Sequence, residues 1–293
     1  MPELPDLVHI ADKIGRAVVD QPIVDVRVGD PVVLRLMVNR SLAAALCKNS
    51  IRSVERRGHF LRLALDGDLV LVVNAMLAGR FVLSPTATAR LGKSVIVALG
   101  FQDGQELRYE DEMRMGKIYL AEVTHEAEIP GYRDLGVDLL SAEFDLPLFR
   151  TLIARRREQV RQFMLDKSTL ASIGNAYADE ILFAAKIHPK TFCKNLSSED
   201  VETLFHSIRQ TLNHAIAEIR DRGEPIETKV RDFLSVRGKA RQPCPVCGNS
   251  IRTVRVGRAD AYFCPSCQPT DRKLFVDFRK LPPKGGTKGS TKG

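Results

Sequence analysis

Apolar residues recur at helical spacing at the start of the chain. Leu4, Leu7, Val8, Ala11, Ile14, Ala17 and Val18 share one face, which predicts a helix over residues 3–19. Pro2 and Pro5 stand at its beginning, where the first turn has no use for an N–H. From about residue 23 to 125 the period changes to that of strands. IVDVRV, SIRSVE, HFLRLAL, DLVLVV, GRFVLS, SVIVALG, QELRYE and GKIYLAEV are short β-rich runs, punctuated by Gly29-Asp30-Pro31, Asp66-Gly67-Asp68 and Asp103-Gly104. Many short strands at this spacing predict a sandwich or barrel. VNRSLAAALCKN, near 38–49, reads as a second helix among the strands, and 130–145 reads as loop. Helical patterning returns near 145–166, 175–186, 198–222 and 226–235. A polar joint, RGKARQP at 237–243, leads into a cysteine-rich segment, and the chain ends in a Gly-, Lys- and Thr-rich stretch expected to be a disordered basic tail, 281–293. There are no internal repeats.

Composition narrows the class. With 293 residues there is room for two domains and a sizeable core. A hydrophobic share of 44% and a charged share of 27% exclude a wholly disordered chain. No run approaches the roughly 18 apolar residues of a membrane span, and the N-terminal segment lacks the basic patch and apolar run of a signal peptide. A cytoplasmic address with no membrane partner is therefore expected. Lys plus Arg number 44 against 36 Asp plus Glu, a net charge of +8, which favours a polyanionic partner, nucleic acid first. Aromatics are only 6% and Trp is absent, which argues against a large base-stacking surface. Arg155, Arg156, Arg157 and Arg161 form either a solvated helix face or a set of phosphate contacts.

Two segments carry chemistry. Cys47 and Cys193 are isolated and read as small buried hydrophobes, but Cys244, Cys247, Cys264 and Cys267 form C-x2-C, sixteen residues, C-x2-C. Two such knuckles at the ends of a hairpin complete a closed tetrahedral thiolate site, so a structural zinc is expected, with a redox dithiol as the alternative. VRVGRADAYF between them reads as two strands around a tip at Gly257-Arg258, where the arginine is either a DNA probe or one more turn residue. Upstream, Ser172-Ile173-Gly174-Asn175 opens the helical stretch AYADEILFAA. A glycine at a helix start allows close approach of a phosphate to free N–H groups; the plainer reading is a helix capped by Asn175. His188-Pro189 reads as a helix end, Phe163 and Met164 as core, and His9 has no assigned role.

Pro2-Glu3-Leu4-Pro5, the S-I-G-N-A-Y-A-D-E-I-L-F segment and the ending Cys264-Pro265-Ser266-Cys267-Gln268 together resemble the formamidopyrimidine/endonuclease VIII family of DNA glycosylases, over residues 2–268. The resemblance implies an α+β fold: an N-terminal β-sandwich flanked by helices, then a helical helix–two-turn–helix domain with a C-terminal zinc ribbon. The implied division is 2–130 (catalytic β-sandwich), 131–236 (helix–two-turn–helix, DNA-binding), 237–270 (zinc ribbon) and the tail. It also implies a bifunctional glycosylase and abasic-site lyase of base excision repair, acting as a monomer on damaged double-stranded DNA and found with the nucleoid if bacterial. Pro2, freed of Met1, would attack the sugar C1′, expelling the base and leaving an imine, with Glu3 moving protons and no cofactor beyond structural zinc. Asn175, Tyr177, Arg258 and Arg114 fall on the family's backbone-gripping positions, Arg258 one residue earlier relative to Cys264 than usual.

Three departures bear on substrate and strength. The family's strand lysine after an R-R-x pair is here His59, in Arg56-Arg57-Gly58-His59, a weaker or pH-dependent phosphate anchor. The residues that fill the space of the flipped nucleotide are Leu77, Met113 and Met115: apolar wedges that unstack a step but cannot hydrogen-bond an orphaned base, so opposite-base discrimination should be weak. The stretch between Phe233 and Cys244 is short, leaving little room for the loop that caps flipped 8-oxoguanine, so oxidised or ring-opened pyrimidines are equally plausible substrates. The alternatives are a family member that binds damaged or bent DNA with weak or no catalysis and, from another class, a zinc-ribbon RNA-binding protein, which leaves PELP unexplained.

Overall fold

The computed structural model describes residues 2–87 and 90–270. The Lys-rich tail expected at 281–293 lies outside the described residues. The opening helix α1 spans Leu4–Val18, with Pro5 in its first turn and the Glu3 N–H donating to the Asp6 carboxylate (2.8 Å). Its apolar face serves two cores. Leu7, Ile10, Ile14 and Val18 pack against strands, while Leu4 enters the helical core.

The strands follow the period-two runs closely: β1 Ile23–Val28, β2 Leu34–Leu36, β3 Ile51–Arg57, β4 Phe60–Leu65, β5 Leu69–Asn74, β6 Arg80–Ser84, β7 Val95–Phe101, β8 Glu106–Glu110 and β9 Lys117–Glu122. They form a five-stranded sheet, β2-β9-β5-β4-β3, and a four-stranded sheet, β1-β7-β8-β6. All pairings are antiparallel except β2 with β9. Leu61, Leu63, Leu71, Val73 and Leu120 from one sheet and Phe81, Val97, Leu99, Phe101 and Leu107 from the other bury their apolar faces in one cluster, which makes the pair a sandwich. Strand β2 had no sequence signal of its own. The helix expected at 38–49 shrinks to α2, Leu42–Leu46, started by Ser41 Oγ accepting from Ala44 N–H.

The second half is helical: α3 Leu146–Ala154, α4 Val160–Leu165, α5 Asn175–Ala184 and α6 Ser198–Arg222, with a two-residue parallel pair, β10 Val137–Asp138 and β11 Leu170–Ala171. Two expectations fail here. The helix at 145–166 is broken, because Val160 N–H donates to Thr191 O and Glu158 O accepts from Cys193, so residues 155–159 pair outward instead of along a helix axis. The helix at 226–235 does not exist. Ile226 packs into the sandwich core and Leu234 into the helical core, the chain between them runs through isolated turns, and the Glu180 carboxylate takes the N–H groups of Ser235, Val236 and Arg237. Helix α6 ends as its sequence says it should, at Gly223 with φ of +63°. Last comes the hairpin β12 Arg252–Val256 and β13 Ala259–Phe263 with Gly257-Arg258 at its tip. Among the described residues no helix is long and apolar enough to cross a membrane.

Candidate active site and nucleic-acid interface

Glu3 joins the two halves of the molecule. Its carboxylate sits on the N-terminus of α5, accepting from the N–H of Ala176 (3.1 Å) and of Tyr177 (3.3 Å). This is the anion position that the glycine of Ser172-Ile173-Gly174-Asn175 prepares, but the anion is the protein's own. A Cβ on Gly174 would lie 2.2 Å from the Glu3 carboxyl carbon, so only glycine admits the contact. Glu3 takes the first free N–H groups of the turn, and the Asn175 cap is corrected: Gly174 is the cap residue, and Asn175 is the first residue of the helix. Burial pushes the Glu3 carboxyl above the ordinary carboxylate range, against the two backbone N–H groups and the Arg231 charge, which pull it down. Arg231 is itself held by a fork onto Asp6 (2.8 Å from Nη1 to Oδ1) and lies over the Tyr177 ring, 5.3 Å from its centre. Pro2 is buried beside this group. A cavity of about 20 Å³, lined in part by Pro2, Asp6, Gly79 and Thr228, adjoins it. That space admits about one water.

The apolar filler positions come together at one end of the sandwich. Gly79 and Gly116 both abut the Tyr109 hydroxyl, where a Cβ would approach to 2.1 Å and 1.9 Å, so the turns that contain them are packed side by side. Asn74 Oδ1 accepts from Met76 N–H and shapes the first turn. Buried Asp111 shapes the second, accepting from the N–H of Met113 (3.0 Å) and Gly116 (2.6 Å). The turns leave Leu77 57% and Met113 60% exposed, two large apolar side chains held out on neighbouring loops, with Met115 half-buried behind. Arg114, at φ of +53°, is exposed and paired with Asp30.

The gripping positions divide. Half-buried Asn175 accepts at Oδ1 from Arg161 Nη2 (3.0 Å), which orients its NH2 end as the donor. Arg161 is fully buried, neither a solvated face nor a phosphate contact: its Nε donates to Asp179 (2.7 Å) and its Nη2 also to the carbonyl of Asp260 in the terminal hairpin (3.3 Å). Arg237 repeats the clamp, on the other Asp179 oxygen (2.7 Å) and the same carbonyl (3.1 Å). Through these arginines the exposed Arg258 tip is fixed on the same side as Asn175. Tyr177, expected to touch DNA, is corrected: it is wholly buried, and it serves the site from within, through its N–H to Glu3 and its ring under Arg231. His59 is corrected too. Burial and the nearby Lys167 charge bring its imidazole down to about 4, so it is neutral across the working range and offers no pH-dependent charge. Cys47, expected buried, is exposed, whereas Cys193, Phe163 and Met164 are buried as read. His9 contacts the carbonyl of Glu224 (3.2 Å). Asp6, Lys167 and Arg231 had no sequence signal beyond an acidic residue three places after Glu3, whereas Gly174 stood out as a glycine opening a helix.

The four cysteine sulfurs of the terminal module lie within 4.8 Å of one another, with Cys244 to Cys267 at 3.8 Å and Cys247 to Cys264 at 3.4 Å. A tetrahedral ion with bonds of about 2.3 Å needs sulfurs about 3.8 Å apart, so zinc fits, with no coordination position left for water. Gln268 locks the second knuckle to the end of α5: its Oε1 accepts from Cys264 N–H (2.9 Å) and its Nε2 donates to Ile187 O (2.8 Å).

Three family models match the chain: the formamidopyrimidine-DNA glycosylase N-terminal domain over residues 1–118, the H2TH domain of the same enzymes over 135–223, and the zinc finger found in FPG and IleRS over 241–270. Formamidopyrimidine-DNA glycosylase from Moorella thermoacetica is 35% identical over 87% of this chain and 95% of its own length. Lactococcus lactis Fpg in complex with DNA containing an abasic site matches with a TM-score of 0.82 and 25% identity, over 92% of this chain and all of that one. The same enzyme with DNA containing an oxidised pyrimidine matches equally, at a TM-score of 0.82 and 27% identity over the same shares. The zinc finger match and the four converging sulfurs together make the metal a structural zinc.

Proposed function

The chain belongs to the formamidopyrimidine-DNA glycosylase family, and from that premise we propose that it is a bifunctional enzyme of base excision repair, a glycosylase that also nicks the strand at the resulting abasic site. The observation that carries this reading is the Pro2–Glu3 pair: a buried N-terminal proline next to a carboxylate seated on a helix end and lifted above its usual range. With Met1 removed, the Pro2 nitrogen is a secondary amine. It attacks C1′, the C1′–N bond to the base breaks, and the base departs with a proton that Glu3 delivers; Glu3 then takes the amine proton and passes it to O4′ as the C1′–O4′ bond opens, which leaves an iminium. The resulting iminium acidifies the C2′ hydrogen. Glu3, now ionised, is placed to remove it, and the 3′ phosphate leaves as the strand is cut. A carboxyl that gives and takes a proton in one cycle works best with a pKa raised towards neutrality.

The remaining residues supply grip. Asn175, Arg258 and Arg114 would hold the phosphates, and Leu77, Met113 and Met115 would fill the space of the extruded nucleotide. We divide the work among residues 2–130 for the chemistry, 131–236 for the helical grip and 237–270 for the zinc-pinned hairpin. Because one chain supplies both walls of the cleft, a monomer suffices, working on damaged duplex DNA in the cytoplasm. Apolar fillers and a short stretch after Phe233 make oxidised or ring-opened pyrimidines as plausible as the purine lesions, with little regard for the opposite base. The test is single-turnover excision from duplexes carrying one oxidised pyrimidine or one ring-opened purine opposite each of the four bases. Excision that varies less than about tenfold with the opposite base supports the reading. Tight binding with no excision of any lesion would instead favour the damaged-DNA binder.

A further inference from the structure

Lys167 stands in the turn that leads to β11 and on to Gly174. Several bonds tie this turn to the 135–138 segment. Its carbonyl accepts from Gly136 N–H (2.9 Å), and Thr169 O accepts from Val137 N–H (3.1 Å). The Gly58-His59 turn between β3 and β4 packs on the same segment: a Cβ at Gly58 would meet the Leu135 side chain at 2.7 Å, and Arg56 forks onto Asp138 (2.7 Å) and donates to Gly58 O (3.2 Å). Lys167 and His59 therefore arrive from two loops on one spot, and the half-buried ammonium feels both the His59 imidazole and the Glu3 carboxylate.

A polyanion must reach this spot if Pro2 is to meet a sugar. The strand position that would offer it a cation holds a neutral imidazole, with Nδ1 buried and unpartnered among protein atoms. Arg231, the other cation nearby, is forked onto Asp6. Burial lowers the Lys167 ammonium below the usual lysine range while the Glu3 charge supports it, a cost that a solvated lysine would not bear.

We propose that Lys167 is the phosphate-binding positioning residue of the reaction centre: from the turn before β11 it holds the phosphate beside the attacked sugar, the task that His59 leaves undone. The proposal rests on the functional reading above, and its first readout is binding, which separates the two. With full-length, zinc-loaded protein and a duplex carrying a tetrahydrofuran abasic analogue, Kd is measured across a salt series. Lys167→Met keeps the aliphatic stem and removes the charge. It should flatten the slope of log K against log salt by about 0.9, one phosphate contact, and slow single-turnover nicking of abasic DNA about 10- to 100-fold. Lys167→Arg should keep the wild-type slope. Adding His59→Lys to Lys167→Met should restore it, because the charge returns to the same spot from the neighbouring loop. If Lys167→Met melts early, Lys167→Gln repeats the measurement. A wild-type slope in the charge-free variants, or no restoration by His59→Lys, overturns the assignment. Wild-type protein that shows the expected slopes but nicks nothing contradicts the enzymatic reading and leaves this one standing.

Discussion

Glu3 is expensive where it stands. A carboxyl raised by burial is stabilising in its protonated form, so its contribution is fully present below the unfolded pKa of about 4.3 and is lost as pH rises through the higher folded value. Above that folded value the contribution is gone and burial burdens the fold, so Glu3→Gln should melt at the same temperature as wild type or higher while losing base excision by at least about 10²-fold. In wild type, single-turnover excision should fall as pH rises through the folded Glu3 pKa, which lies above the ordinary glutamate range, and in Glu3→Gln that alkaline limb should vanish. A melting temperature in Glu3→Gln several degrees below wild type would mean that the two α5 N–H bonds outweigh the burial. Gly174 belongs to the same account, since any side chain there displaces the carboxylate it cradles.

Among the elements, the paired turns at Leu77 and Met113 and the zinc-pinned hairpin are the parts built to touch something outside the chain. Both turns are anchored from below, by Tyr109, Asn74 and Asp111, so their exposed tips can be altered without disturbing the core. Leu77→Ala with Met113→Ala should cost no more than about 1 kcal/mol of stability. The pair should slow excision of an intact lesion about tenfold or more, yet leave nicking at a preformed abasic site nearly unchanged, because unstacking is then already easy. Equal losses on both substrates would show that the tips bind backbone instead. The sequence announced these elements well wherever one local pattern decided them: alternation for the strands, helical patterning for α6, the glycine tip for β12–β13. It failed where a distant partner decided. The 226–235 segment has helix-compatible residues, but Ile226 and Leu234 are drawn into different cores and Glu180 claims the N–H of Ser235 and of the two residues after it, 55 to 57 positions away. Arg161 looks like one more member of a basic run until Asp179 and the hairpin carbonyl bury it.

Across the whole molecule, the active centre is made where the sandwich, the helical half and the 226–236 segment meet, and its defining contact joins residues 173 positions apart. The candidate nucleophile and carboxylate were readable from PELP, and the metal site from cysteine spacing. What Glu3 sits on, and which cation stands beside it, were not, because no local pattern records a contact of that range. Zinc tightens the same assembly, since Gln268 links the second knuckle to α5 and the hairpin carbonyl is shared by Arg161 and Arg237. Chelating the zinc should therefore weaken binding to abasic duplex by at least about tenfold and flatten its salt dependence by about 0.9 as the Arg258 contact is lost, with the β-sandwich still folded by circular dichroism. Unchanged affinity after metal removal would place the hairpin outside the interface.

The central claim is that the amine of Pro2 forms a covalent imine with the sugar. Borohydride reduction during incubation with a duplex carrying one abasic site converts such an imine to a stable adduct. The account predicts a trapped protein–DNA band from wild type with Met1 removed, and its loss or strong slowing in Pro2→Gly. Wild-type protein that binds this duplex tightly and salt-sensitively, yet yields no adduct, would contradict it.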